Sequence, residues 1–322
     1  MKPSPVVLTN SGDATSDYLC ERLAHAGIHH HRIDTDVLPQ VGTLEMGNDD
    51  LRLWWRDSVL RPADISTLIF RRPKPLTPQI QGDPHQQQHA SGEWAEAIEG
   101  FLANIPHEHW VNHPSRNFNA SHKVEQLIRA RKAGLYSPSW LVSSVPETAR
   151  VFLKTHGPQV VVKPLASGYI ERDRLEDDSQ IYTSAISMAQ HGLIERLPGC
   201  PVLFQELVAK KIDVRLIVVD NQMMAVGLEA KDAGGHQRLD IRRNEMRDVA
   251  YSVVNVPTSV ADGVLRMMHG YKLRFGAFDF AIDQNDQWVF FELNPNGQWA
   301  WLDLEGDADV GQMFVNAARR AQ

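Results

Sequence analysis

The sequence predicts an α/β N-terminal region that continues into an α+β body, and three patterns carry that expectation. Pro5-Val6-Val7-Leu8-Thr9 has strand character, Ser16 to Ala26 places Tyr18, Leu19, Leu23 and Ala26 on one helical face, and His29 to Ile33 returns to strand character. This β-α-β opening calls for a parallel sheet. Farther on, strands at 202–205, 213–219 and 223–228 follow as neighbours with short connections. Near the C-terminal end, Phe278 to Asp283 and Trp288 to Gly297 read as two strands around the polar cluster Gln284-Asn285-Asp286-Gln287.

Between these landmarks each element has a local reason. Asn10-Ser11-Gly12-Asp13 is a turn, and Gly27 ends the first helix. A hairpin-like region spans Thr43 to Leu60, and Leu68 to Pro73 is a strand that ends at basic residues. Thr77 to Gly92, rich in Pro, Gln, His and Gly, reads as a loop. Glu93 to Ile105 is an amphipathic helix, and Trp110 to Pro114 a short strand meeting a proline stop. A helix is expected from Ala120 to Ala133, ended by Gly134. Strands at Trp140–Ser143 and Val160–Lys163 flank a helix at Pro146–Thr155, and Ser167 to Ser179 is a charged loop. Helices at Val260–Leu273 and Gly311–Arg320 complete the chain. The expected units are 1–114, 115–200 and 201–322.

At 322 residues and 43% hydrophobic content, the chain can bury two or three domain-sized cores. A net charge of -7 without a long Lys/Arg run argues against nucleic acid as the partner. Cys20 and Cys200 stand in unrelated contexts, which fits neither a disulfide framework nor a zinc site. Val6-Val7-Leu8 is too short for a signal peptide, and no apolar run approaches a membrane span. A soluble cytoplasmic protein with no membrane partner is the expectation.

The C-terminal hairpin carries the sharpest chemistry. If the four polar residues form its loop, Asp283 pairs with Trp288 and Asp279 faces Glu292. Asn294, two residues on, leaves the same strand face as Glu292. Oxygen side chains converging in apolar surroundings need a cation or hydrogen bonds. Few protein oxygens suit Mg²⁺, which shares its shell with water and phosphates. A polar hairpin end facing solvent is the bland alternative. Lys163 ends the apolar run Val160-Val161-Val162, where a phosphate would satisfy it, as would snorkelling to water. Phe204-Gln205-Glu206-Leu207-Val208 leaves a strand for an irregular segment that suits a planar base and ribose hydroxyls, or else is a solvated loop. Asp213 and Arg215 share a strand face, joined by Lys211 if the strand starts early, and Arg242 and Arg243 add cation. Such a group clamps a phosphoryl group or forms a surface ion-pair network. His29, His30 and His31 lack metal-ligand spacing, and neither a P-loop nor a nucleophile arrangement is present.

The order of these pieces resembles the ATP-grasp superfamily, and more closely the ribosomal-peptide maturases of the graspetide or microviridin type. The likeness runs through Leu8-Thr9-Asn10 with Asp13 and Asp17, Arg32 to Asp36, Phe70-Arg71-Arg72-Pro73, Asn112-His113-Pro114 with Asn117, Lys123 to Leu127, Val162-Lys163-Pro164-Leu165 and Phe204-Gln205-Glu206. Its most specific piece is Phe291 to Trp299 with Trp301. The resemblance implies an ATP-grasp fold with an N-terminal parallel-sheet pre-ATP-grasp domain and ATP and Mg²⁺ as cofactors. It matches Lys123 and Lys163 to nucleotide-phosphate lysines, and Gln205, Glu206, Leu207 and Val208 to an adenine and ribose hinge. It matches Arg215 and Arg242 to residues near the phosphates, and Asp279, Glu292 and Asn294 to Mg²⁺ ligands. Lys163, Arg215 and Arg242 are the expected catalytic residues, and Asp213 joins the cofactor-binding set. The Ser167-Gly168-Tyr169 loop would cover the phosphates. The implied activity is ADP-forming crosslinking of Asp or Glu side chains to hydroxyls or amines of a precursor peptide with leader and core, by a homodimer. The alternatives are a ligase adding a free amino acid to a carboxylate, as glutamate ligases do, and a nucleotide-binding regulator. Ile241 departs from the pattern, standing where these ligases tend to carry an aromatic residue.

Overall fold

A computed structural model describes residues 3–157, 160–166, 169–170, 179–187, 191–241 and 248–320. The opening β-α-β unit forms part of a four-stranded sheet with the order His31–Asp34, Ser4–Thr9, Ile65–Phe70, Trp110–Val111. Every pairing in it is parallel. Val7 packs with Leu19 and Leu23 on one face, and Val6 and Leu8 pack with Phe101 and Leu53 on the other. Burial on both faces is why this strand is continuously apolar rather than alternating. The Thr43 to Leu60 region is a three-stranded antiparallel sheet, Gly42–Met46, Leu51–Trp55 and Ser58–Leu60.

Two helical expectations need correction. The 77–92 segment is not all loop, because a helix runs over Pro84–Leu102. Asp83 starts it: its carboxylate accepts from the His85 and Gln86 amides at 2.8 and 2.9 Å, and Gln86 Oε1 accepts from Asp83 N at 2.9 Å. This reciprocal cap, with Pro84 at the first helical position, outweighs the loop-like composition. The expected Ala120–Ala133 helix is instead Pro114–Ala120 and Lys123–Lys132. His122 between them is extended, with φ -85° and ψ 106°, and the break sets Lys123 at the start of the second helix.

A second four-stranded sheet has the order Ser184–Ile186, Val160–Lys163, Val202–Glu206, Trp140–Ser143. The largest sheet is antiparallel throughout, ordered Ala250–Val253, Gln222–Glu229, Lys210–Val219, Phe275–Asp283, Trp288–Asn294. One of its faces lies under Lys123–Lys132 and Thr258–Tyr271. The other lies under Ala300–Glu305 and Val310–Arg320, which bury Ile217, Val219, Phe275 and Ala277. Farther along that second face, Asp213, Arg215, Asp279 and Glu292 line an open cleft.

Three buried polar side chains tie the sheets together. Asn112 Oδ1 accepts from Arg274 N at 2.7 Å and Phe275 N at 2.9 Å, while its Nδ2 donates to Phe275 O at 2.8 Å and Pro295 O at 3.0 Å. Gln126 Nε2 donates to Leu293 O at 2.7 Å, and its Oε1 accepts from Leu293 N at 2.9 Å. It therefore pairs with the edge strand as another strand would. Arg71 is 2% exposed and donates to Gly297 O at 3.1 Å and Gln298 Oε1 at 2.8 Å. Burial pushes its guanidinium down to about 10, with Asp13 pulling it back up, so it stays charged at neutral pH. Asn112→Leu strands two amides and two carbonyls in a dry interior. A loss of about 3 kcal/mol is expected, read as a lowered urea midpoint at unchanged slope.

Candidate functional site

The hairpin forms, but by a different route from the expected one. Its loop is one residue longer at the start, so Trp288 pairs with Ile282 rather than Asp283. Asp283 N donates to Gln287 O at 3.0 Å, and Asp283 Oδ1 accepts from Asn285 N at 2.8 Å and Gln287 N at 2.9 Å. Asp286 takes φ 62° within that loop. The register then shifts between Asp279 and Phe280, where Phe290 and Phe291 oppose one residue. This bulge restores the pairing of Asp279 with Glu292 and of Ala277 with Asn294. A second irregularity lies between Lys210 and Ile212 on the neighbouring strand. It corrects the expectation for Lys211, which is exposed and pairs with Asp286 at 2.6 Å. Lys210 instead is buried against Asp213, with both carboxylate oxygens at 2.8 Å.

Cations gather around the carboxylates. Arg215 Nη1 lies 3.0 Å from Asp279 Oδ1, and Lys123 Nζ lies 3.8 Å from Glu292 Oε2. Lys123 Nζ also donates to Pro164 O at 2.7 Å. Lys163 Nζ donates to Gln205 Oε1 at 2.8 Å and sits 4.4 Å from the centre of the Phe291 ring, the bulged residue. Among the described residues Arg215 Nε and Nη1 are buried without a hydrogen-bond acceptor, the Asp279 contact being an ion pair without hydrogen-bond geometry. Such donors fit an anion entering the cleft.

The electrostatics follow from this crowding. Burial raises the Asp279 carboxyl to about 7; Arg215 opposes the rise and Glu292 adds to it. Burial also pushes Glu292 up, but Lys123 and Lys163 outweigh it and hold this carboxyl below its usual range. Burial drives Lys163 down to about 8 against the pull of Glu292. About a third of each carboxylate side chain, 32% for Asp279 and 35% for Glu292, still opens to the cleft. Among the described residues no cluster of three or more His, Cys, Asp or Glu could hold a metal. The candidate set is two carboxylates and the Asn294 amide oxygen, whose Oδ1 also accepts from Asn296 N at 3.0 Å. Two hard charges plus one neutral oxygen suit Mg²⁺ better than a metal that needs a full protein cage.

All of these side chains line one cleft of about 760 Å³ between the second and the largest sheet. Gln205, Glu206, Leu207 and Val208 line it too, at the linker between the strands Val202–Glu206 and Lys210–Val219. The Gln205 side chain is committed to Lys163 and its main chain pairs within the sheet, so the Leu207–Val208 linker beyond it is what remains for a base. Glu206 Oε2 accepts from Ser139 N at 3.3 Å. Arg242, Arg243, Ser167 and Gly168 lie outside the described residues, as does the Tyr169 side chain. Sequence reading missed Asn112, Gln126 and Arg71 as supports of the hairpin and its tail. Each has a polar neighbour, Arg72 beside Arg71, His113 beside Asn112 and Glu125 beside Gln126, so the local pattern does not tell these buried groups from solvated ones.

Solved structures share this architecture. A Chryseobacterium gregarium RiPP-associated ATP-grasp ligase, in complex with ADP and a leader and core peptide, is 22% identical over 99% of this chain and 97% of its own, with a TM-score of 0.85. The macrocyclase MdnC of Microcystis aeruginosa MRC, bound with precursor peptide MdnA, is 22% identical over 98% of this chain and 99% of its own, with a TM-score of 0.80. The ATP-grasp ligase PsnB, complexed with a phosphomimetic minimal precursor, Mg and ADP, is 20% identical over 100% of this chain and 99% of its own, with a TM-score of 0.77. The chain has the ATP-grasp ligase fold. No family model matches it, and no curated protein does.

In this ATP-grasp cleft Asp279 carries a proton below about pH 7, whereas Glu292 ionises at lower pH. The raised carboxyl favours the folded state below its unfolded value near 3.8, and that contribution is lost as pH rises through about 7. A divalent cation binds the ionised form. Apparent Mg²⁺ affinity should therefore fall about tenfold per pH unit below 7 and level off above it. Calorimetric Mg²⁺ titration with ADP present, across that range, checks this; an affinity that ignores pH would remove Asp279 from the ligand set.

Proposed function

We propose that the chain is an ADP-forming carboxylate–alcohol or carboxylate–amine ligase that crosslinks side chains within a ribosomal precursor peptide. The observation that carries this is the convergence of Asp279, Glu292, Asn294, Lys123, Lys163 and Arg215 in one cleft of an ATP-grasp fold. The similar structures that hold ADP, Mg and precursor peptides support ATP, Mg²⁺ and such a peptide as the ligands here. We extend the reading to a homodimer, to a cytoplasmic setting, and to 1–114, 115–200 and 201–322 as its units. Among the described residues no helix is long and apolar enough to cross a membrane.

The roles follow from charge and position. Asp279, Glu292 and Asn294 would hold Mg²⁺, which supplies charge neutralisation at the phosphates. The Leu207–Val208 linker holds the base, with Gln205 fixing Lys163, Glu206 at the ribose and Asp213 keeping Lys210 in the cleft. Lys123 and Lys163 neutralise the phosphate oxygens, and Arg215 offers its unpaired donors to the group in transfer. A peptide Asp or Glu oxygen attacks the terminal phosphorus, the bond to ADP breaks, and an acyl phosphate forms. A Ser or Thr hydroxyl or a Lys amine then attacks the acyl carbon. Phosphate leaves, carrying charge matched by the lost proton, and an ester or amide remains. No protein nucleophile enters this sequence.

The test is mass and ADP together. Incubation with Mg²⁺, ATP and an acidic precursor peptide should release one ADP and remove one water per bond formed. Addition of a free amino acid would instead raise the mass by a residue and would replace this reading with the amino-acid ligase. Glu292→Gln should lower ADP release at least about a hundredfold, the scale seen when a charge-stabilising group is removed. Turnover at the wild-type rate would overturn the metal assignment.

A further inference from the structure

One row of paired residues crosses all five strands of the largest sheet: Val253, Val226, Arg215, Asp279 and Glu292. Directly paired residues share a face. Arg215 therefore divides the row. The carboxylates lie on one side of it, with Lys123 beyond them at 3.8 Å from Glu292. On the other side the row turns apolar. The adjacent row repeats this, with Asp213 paired to Leu228 and Leu228 to Tyr251. Tyr251 meets Trp301 of the Ala300–Glu305 helix with ring centres 5.8 Å apart, and both line the cleft. Gly306 seats that helix, since a Cβ there would stand only 3.3 Å from Tyr251 Cβ. Val253 and Leu304, on the same strand and helix as the two rings, are 54% and 66% exposed.

We infer that the Tyr251–Trp301 wall receives an apolar side chain of the peptide, about three residues from the carboxylate activated at Arg215. The spacing comes from the sheet. From Arg215 to Tyr251 is two strands across and two residues along, about 12 Å on the diagonal, and an extended peptide covers that in little more than three residues. The occupant follows from continuity: the wall belongs to the same cleft as the charged half, so a peptide with a carboxylate at Arg215 has the two rings within reach of a neighbouring side chain. A free amino acid would be too short to use both. The inference rests on the ligase reading above.

The probes are two synthetic acidic peptides of equal length, one with Phe and one with Ser about three residues from a single Glu. Binding is measured by calorimetry on enzyme loaded with Mg²⁺ and AMPPNP. The Phe peptide should bind about tenfold tighter, the scale of one well-packed aromatic contact. Trp301→Ala and Tyr251→Ala should each erase that preference, while Trp301→Phe keeps it. Unchanged AMPPNP affinity certifies that the variants are folded. Equal binding of the two peptides to the wild type, or a preference that survives Trp301→Ala, overturns the inference alone. If neither peptide binds and neither releases ADP from ATP, the ligase reading falls and takes this inference with it.

Discussion

The pairing of Asp279 with Glu292 is the constraint around which the rest of the structure is arranged. Two acids at directly opposed positions on neighbouring strands repel one another. In a half-enclosed cleft the penalty grows, because the dielectric that would screen them is lower. The chain answers with Arg215 at 3.0 Å from Asp279 and Lys123 at 3.8 Å from Glu292, with Lys163 close by. The compensation is unequal, which is why one carboxyl is raised to about 7 and the other lowered. A site in this state keeps an avidity for added positive charge, and its lysines and arginine keep one for added negative charge. A metal-nucleotide pair supplies both.

Holding that arrangement requires a rigid edge strand. Trp288–Asn294 is the outermost strand of its sheet, and edge strands have unpaired backbone groups. Gln126 takes up the Leu293 amide and carbonyl, and Tyr136 O accepts from Phe290 N at 2.7 Å. The bulge at Phe291 sits between these two anchor points and turns its ring beneath Lys163. Beyond Asn294, Asn112 and Arg71 catch Pro295, Gly297 and Gln298. The parallel sheet thus contributes nothing to the lining of the cleft but fixes the tail that leaves it. Arg71 can stay buried and charged because Asp13 faces it, held below the usual carboxylate range by Ser16 and Thr9 hydroxyls that outweigh its burial.

Much of this was legible in the sequence, and the reasons for the gaps are physical. The parallel opening follows from apolar periodicity and turn chemistry, which are local, and the site residues from the motifs that carry the resemblance. The Asp279–Glu292 pairing was read correctly from a loop that is in fact one residue different, because the Phe291 bulge cancels the shift. Bulges are set by neighbouring strands and by what lies over them, so neither this one nor that at Lys211 shows in a strand pattern. The same blindness exchanged Lys211 for Lys210. Arg71 read as a basic residue at a strand end, and Asn112 and Gln126 only as members of the motifs that carry the resemblance. Their roles depend on partners more than 150 residues away in the chain, a separation at which local pattern carries no information.

The largest sheet also shows how one surface serves two purposes. Along Lys210–Val219 the cleft-side face reads Asp213, Arg215, Ile217, Val219, changing from charged to apolar where the C-terminal helices begin to cover it. Across the sheet, in the row through Arg215, it changes again, from carboxylates to Val226 and Val253. Arg215 stands at the corner of both boundaries. A guanidinium there has Asp279 across the sheet and Asp213 along its own strand, with apolar Val226 and Ile217 on the other two sides, and among the described residues two of its buried nitrogens have no acceptor. Low local dielectric strengthens whatever anion it meets more than solvent would allow. In the proposed reaction the corner position, more than the residue type, is what would make Arg215 the meeting point of a phosphoryl group from one side and a carboxylate from the other.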